Sequence, residues 1–147
     1  MSFSDAPLTR VVFFQVQTAQ TKLLRISEAA QTHFGKKEKI ILFVEDAKAQ
    51  GFVDELLWKM PTTSFLPHLA TDEATQEPVV ITKSKENVNG ARVAFNLCPT
   101  PLLLDPPFRI IYELEDLTAP GKQKLSELRF GRYKEAKFLI ESRNLSQ

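Results

Sequence analysis

The chain has 147 residues, and 19 lysines and arginines against 18 aspartates and glutamates leave it a formal charge of +1. No bulk field therefore draws it to nucleic acid or to a membrane surface. With 43% hydrophobic and 25% charged residues it has the composition of one globular domain, expected to span residues 1–147. Five glycines, none in G-x-G spacing, argue against a glycine-loop nucleotide enzyme, and a lone cysteine, Cys98, excludes an intramolecular disulfide. Met1 to Pro7 lacks a basic region followed by an apolar run, and the longest apolar run, Ile40 to Val44, falls far short of the ~20 residues of a membrane span. The expectation is a soluble cytoplasmic protein without membrane contact.

Arg10 to Val16 is β-branched and aromatic with little polar alternation, which predicts a strand buried on both faces. Leu23, Ile26, Ala30 and Phe34 then recur at helical spacing between Thr21 and Phe34, and Gly35 stands where a residue of positive φ is expected after a helix. Lys39 to Val44 repeats the buried-strand signature, and Asp46 stands at an N-cap position. Ala49, Phe52, Val53, Leu56 and Leu57 form the stripe of a second helix ending near Met60-Pro61. Three further strands are expected at 78–82, 92–97 and 108–114, with exposed loops at 67–77 and 98–107. From Gly121 to about Ser142 a proline-free, helix-friendly mixture predicts one long closing helix. Alternating strands and helices give an α/β fold with three α/β/α layers and a mostly parallel five-stranded sheet, Rossmann-like but without a glycine-rich loop.

In such a sheet ligands gather beyond the carboxyl ends of the strands, here after Val16, Val44, Thr82, Leu97 and Leu114. Glu45-Asp46 could hold Mg²⁺ with waters, or Asp46 could simply cap a helix. Glu113 and Glu115 share one face of the last strand, beside Asp116, so a metal pair is geometrically possible and a solvated strand end is the alternative. Cys98, His33 and His68 are too few and too widely spaced for zinc. His33 suits the end of a helix, Cys98 a small buried hydrophobe, and no Gly-x-Ser-x-Gly nucleophile elbow exists. No cofactor is expected.

Charge is unevenly distributed. Between Gly121 and Gln147 seven basic residues stand against three acidic ones. On a continuous helix Phe130, Tyr133, Lys134 and Lys137 fall at i, i+3, i+4 and i+7, a stripe able to hold an acidic peptide with an apolar tip, or else to pack its rings inward while the lysines snorkel. The only tryptophan, Trp58, lies in Leu56-Leu57-Trp58, shortly before Ser64-Phe65-Leu66-Pro67-His68.

These runs, together with Ile40-Ile41-Leu42-Phe43-Val44-Glu45-Asp46 and Arg132-Tyr133-Lys134, resemble the chi subunit family of bacterial DNA polymerase III holoenzyme, from Val11 to about Leu139. The resemblance implies a noncatalytic clamp-loader accessory that pairs with the psi subunit and binds the acidic C-terminal tail of single-stranded-DNA-binding protein, touching DNA only indirectly. A helicase is a further candidate partner. Carried over by position, Trp58, Phe65 and Tyr133 would line a pocket for the tail's terminal aromatic residue, while Lys134 would meet its carboxylate. Lys137 stands where the family can carry another base. Phe130 replaces a familiar arginine, with Arg129 or Arg132 able to supply that charge, and Lys124 matches after a small shift. The alternative is a small metal-dependent phosphoryl-transfer enzyme or nuclease using Glu45, Asp46, Glu113 and Glu115.

Overall fold

The computed structural model describes residues 8–59 and 66–144. β1 (Arg10–Val16) leads into α1 (Ala19–Gly35), β2 (Ile40–Phe43) and α2 (Ala47–Lys59). Then follow β3 (Leu69–Ala70), β4 (Val79–Thr82), β5 (Val93–Asn96), β6 (Ile110–Asp116), α3 (Pro120–Glu135) and β7 (Leu139–Asn144). All strands join one sheet in the order β3-β4-β2-β5-β6-β1-β7, and every pairing is parallel. Buried aliphatic and aromatic residues on both faces of the inner strands explain the near-continuous apolar runs, because a parallel sheet has no wet face.

The two faces bury separate clusters. Val12, Phe14, Leu42, Ile81 and Phe95 pack with Ile26 and Ala30 of α1 and Val53, Leu56 and Leu57 of α2. Val11, Phe13, Ile41, Val80 and Ile111 point the other way, against Tyr133 of α3 and against Leu102 and Phe108 from the proline-rich connection before β6. Helix starts follow their caps. The Thr18 hydroxyl accepts from the Thr21 amide at 3.1 Å, and Asp46 Oδ1 accepts from the Ala49 amide at 2.8 Å, so Asp46 is an N-cap.

Three expectations are corrected. Among the described residues the sheet has seven strands rather than five, since β3 forms inside the expected loop 67–77 and β7 inside the expected last helix. That helix stops at Glu135, not near Ser142. Lys137 turns the chain with φ 64°, and Phe138 and Ile140 pack onto the cluster holding Tyr133. An apolar sheet edge competes for these residues and outweighs a helix propensity of tenths of a kcal/mol each. At the end of α1 the left-handed residue is Lys37 (φ 61°), whereas Gly35 stays within the helix.

One carboxylate ties β3's loop to its neighbours. Asp72 Oδ1 accepts from Thr82 Oγ1 and the Lys83 amide at 3.0 Å each and from Gln50 Nε2 at 3.2 Å, while Oδ2 meets Lys83 Nζ at 2.7 Å. The side-chain contact with Lys83, followed by its amide, holds the carboxyl at about 2 against an ordinary 3.8. A depressed carboxyl stabilises the fold above its unfolded value and loses that contribution as pH falls through the folded one. The wild type should therefore melt above Asp72→Asn at pH 5, and the gap should close between pH 3.8 and about 2.

Candidate functional site

The residues predicted to form one site are scattered. Trp58 sits 56% exposed at the end of α2, its ring 4.4 Å from that of His68. α2 packs over β3 and β4, whereas α3 packs over β6 and β7 and contributes to the cluster on the opposite face. The structure therefore does not bring Trp58 to the basic helix. Phe65 lies outside the described residues. Lys124 and Lys134 are exposed on α3, and Lys137 is exposed but stands beyond its end, which breaks the predicted four-residue stripe.

Tyr133 and Arg129 point inward: Tyr133 is fully buried, and the largely buried Arg129 borders the cleft at the carboxyl ends of β2, β5 and β6. Both serve Glu113, whose side chain is completely buried on β6. Arg129 Nε donates to Glu113 Oε1 at 2.9 Å, Asn96 Nδ2 donates to Oε2 at 2.7 Å, and the Tyr133 hydroxyl donates to the same oxygen. The Leu102 amide in turn donates to the Tyr133 oxygen at 2.8 Å. Arg129 Nη2 also donates to the Leu114 carbonyl at 3.0 Å. Burial pushes the Glu113 carboxyl up, to about 7, against the opposing pull of Arg129, Tyr133 and Asn96. Burial and the neighbouring Glu113 drive the Tyr133 phenol up as well. Glu113 is thus neither a solvated strand end nor half of a metal pair. The sequence signal was present: a glutamate set among the apolar residues Ile110, Ile111 and Leu114, with an arginine and a tyrosine four residues apart on the following helix.

The residues of the metal-enzyme alternative do not converge either. Asp46 is occupied in capping α2, Glu45 is exposed, and Glu115 opens into a different cavity from the one beside Arg129. Among the described residues no three His, Cys, Asp or Glu side chains gather as a metal site. His33 is buried between Glu38 and Tyr112: Nδ1 shares a hydrogen bond with the Glu38 carboxylate at 2.9 Å, and Nε2 shares one with the Tyr112 hydroxyl at 2.6 Å. Burial raises the thiol of half-buried Cys98 above its ordinary value, which suits an inert side chain. No described helix is long and apolar enough to cross a membrane.

Two openings flank α3. The first is a cavity of about 160 Å³ walled by Phe13, Ser126, Phe130 and Ser142, with Glu115 and Glu127 at its rim. Phe130 is 39% exposed there, its ring 5.6 Å from that of Phe13, and Lys134 follows one turn later. The second is a cleft of about 360 Å³ at the carboxyl ends of β2, β5 and β6, where strand-end reasoning places a ligand site. Its walls include Leu23, Phe52, Leu97 and Leu125. Lys22 and Asp116 face each other across 2.6 Å in it, and Lys122 stands at its edge. Phe52 and Leu125, 56% and 41% exposed, face this cleft from α2 and α3. The sequence placed Phe52 in the apolar stripe of its helix and singled out neither residue as part of a site.

No individual curated protein matches the chain. The model of the family described as DNA polymerase III chi subunit, HolC, matches residues 8–141, from the strand before α1 into β7 and so across every element described above. With the match running through nearly the whole of the 147 residues, the chain belongs to the DNA polymerase III chi subunit family.

Proposed function

We propose that the protein is a noncatalytic adaptor of DNA polymerase III, holding the acidic C-terminal tail of single-stranded-DNA-binding protein on one surface and the psi subunit of the clamp loader on another. The observation that carries this reading is the pair of separate apolar openings on the two flanks of α3. An adaptor needs two surfaces that can be occupied together, and one cleft would not suffice.

The tail fits the opening beside Phe130. A terminal aromatic side chain packs on Phe130 and Phe13, and its carboxylate reaches Lys134, four residues along the same helix, with Lys124 exposed further up it. Glu115 and Glu127 oppose an acidic ligand at that rim, so affinity is micromolar rather than nanomolar and falls with salt. The psi subunit fits the strand-end cleft, whose walls are mostly apolar and whose Phe52 and Leu125 are exposed.

Calorimetric titration of the full chain with an acidic peptide ending in phenylalanine tests the first surface. Phe130→Ala and Lys134→Ala should each weaken binding about tenfold, near 1.4 kcal/mol, and raised salt should weaken it further. Affinity indifferent to both substitutions and to salt would sink the site. Emission from Trp58 should stay unchanged, because that ring stands at the end of α2 beside His68, whereas α3 packs over β6 and β7. For the second surface, Phe52→Asp should lose copurification with psi while keeping the tail.

A further inference from the structure

Because every pairing in the sheet is parallel, all strands start at the same end. Ile40, Val93 and Ile110 are partners across β2, β5 and β6, so the residues before them, Lys39, Arg92 and Arg109, stand abreast. The Arg109 amide donates to the Arg92 carbonyl at 2.8 Å, and the Arg10 amide on β1 donates to the Arg109 carbonyl at 3.0 Å. Four neighbouring strands thus open on a basic residue, a row about 14 Å long at the usual strand spacing. Lys36 and Lys37, exposed at the carboxyl end of α1 where a helix favours cations, extend it.

Folding does not call for this row. Like charges abreast on neighbouring strands repel, and a strand, unlike a helix end, has no large dipole for a cation to neutralise. Among the described residues only Arg109, with Glu38, and Arg10, 3.5 Å from Glu141, are ion-paired in it. Lys39 Nζ donates to uncharged oxygens, Gln76 Oε1 at 3.0 Å and the Asn89 carbonyl at 3.1 Å, and Arg92 is exposed. Glu77 stands outside the row, before β4, and Asp105 lies four residues ahead of Arg109. A linear polyanion would supply the missing counter-charges. We propose that this end of the sheet binds the phosphate backbone of duplex DNA directly, without reading its sequence. The row is long enough to reach phosphates on both sides of a groove about 12 Å wide. It offers no ring on which an unpaired base could stack, since Phe108 beside Arg109 is buried, so duplex is preferred to single strand. The cleft given to psi lies at the opposite, carboxyl ends of β2, β5 and β6. DNA and psi can therefore be held together, and the DNA contact rests on neither protein partner.

Fluorescence anisotropy of a labelled duplex of about 20 base pairs, titrated with the full chain at about 50 mM salt, reads the contact. Binding should weaken as salt rises, with a slope of log K against log salt of about −3, as for about three or four phosphates. Arg92→Gln should flatten that slope by about 1, and Arg92→Glu should weaken binding at least about tenfold. Arg92 is in no ion pair among the described residues, so both variants should keep the wild-type melting temperature and the wild-type affinity for the acidic peptide. Loss of DNA binding with peptide binding intact thus separates this surface from the tail site. Lys48→Glu makes the same kind of charge change in the first turn of α2, at the other end of the sheet, and should weaken DNA binding less than about twofold. A single strand of the same length should bind more weakly than the duplex. A wild type that leaves the duplex unbound at about 50 mM salt overturns the proposal. So does a Lys48→Glu variant as impaired as Arg92→Glu, a single strand bound more tightly than duplex, or equal competition from polyglutamate of the same charge.

Discussion

Replacing Glu113 by alanine should destabilise the fold by about 3–5 kcal/mol, because it strands the Arg129 guanidinium without a counter-charge in the interior. For a chain of this size that corresponds to a fall of about 10 °C in melting temperature. The magnitude follows from burial: the Glu113 side chain is completely buried and that of Arg129 is 9% exposed, so solvent cannot replace either partner. An exposed pair on the same helix, such as Arg132 with Glu135, should change stability by less than about 1 kcal/mol when broken. Urea unfolding of Glu113→Ala, Arg129→Ala and the double variant measures the coupling. The double variant should cost clearly less than the two singles added together, since it leaves no charge unpaired. Additive losses would show that the two groups act independently.

Tyr133→Ala should cost a similar amount, about 3–5 kcal/mol, by opening a cavity among the aromatic rings. Tyr133 is fully buried, its ring 6.1 Å from that of Phe13 and 5.7 Å from that of Phe138. Tyr133→Phe keeps those contacts and should lose about 1–3 kcal/mol, because the Leu102 amide and one Glu113 oxygen lose a partner. This pair of variants separates folding from binding. Tail affinity in Tyr133→Phe should stay within about twofold of wild type, a difference well under 1.4 kcal/mol. A loss confined to Tyr133→Ala would then report unfolding, and a tenfold loss in Tyr133→Phe would return the phenol to the binding surface.

The central strands and the first two helices were readable because their signals are local. Ile40-Ile41-Leu42-Phe43 can bury all four side chains only inside a two-faced sheet, and Asp46 announces the next helix by the bond that its carboxylate makes three residues on. β7 was not readable in that way. Leu139 to Asn144 mixes Ile with Glu, Ser and Arg and takes strand geometry because β1 offers it an edge and Phe138 and Ile140 find apolar surface beneath it.

The candidate site divides along the same line. Sequence located the basic helix and the exposed lysines Lys124 and Lys134, since charge at helical spacing is a one-dimensional property. It also carried the motifs by which the chain resembles its family, and the family match over residues 8–141 confirms that assignment. Which of Phe130, Tyr133, Arg129 and Lys134 faces solvent depended on where α3 came to rest. A buried carboxylate on β6 draws in Arg129 and Tyr133 and so turns Phe130 and Lys134 outward. The residue types and their spacing were fixed by the chain alone, but the choice between core and surface belonged to the tertiary structure. Burying an unpaired Glu113 would cost several kcal/mol, and helical spacing distinguishes a stripe without saying which way it points.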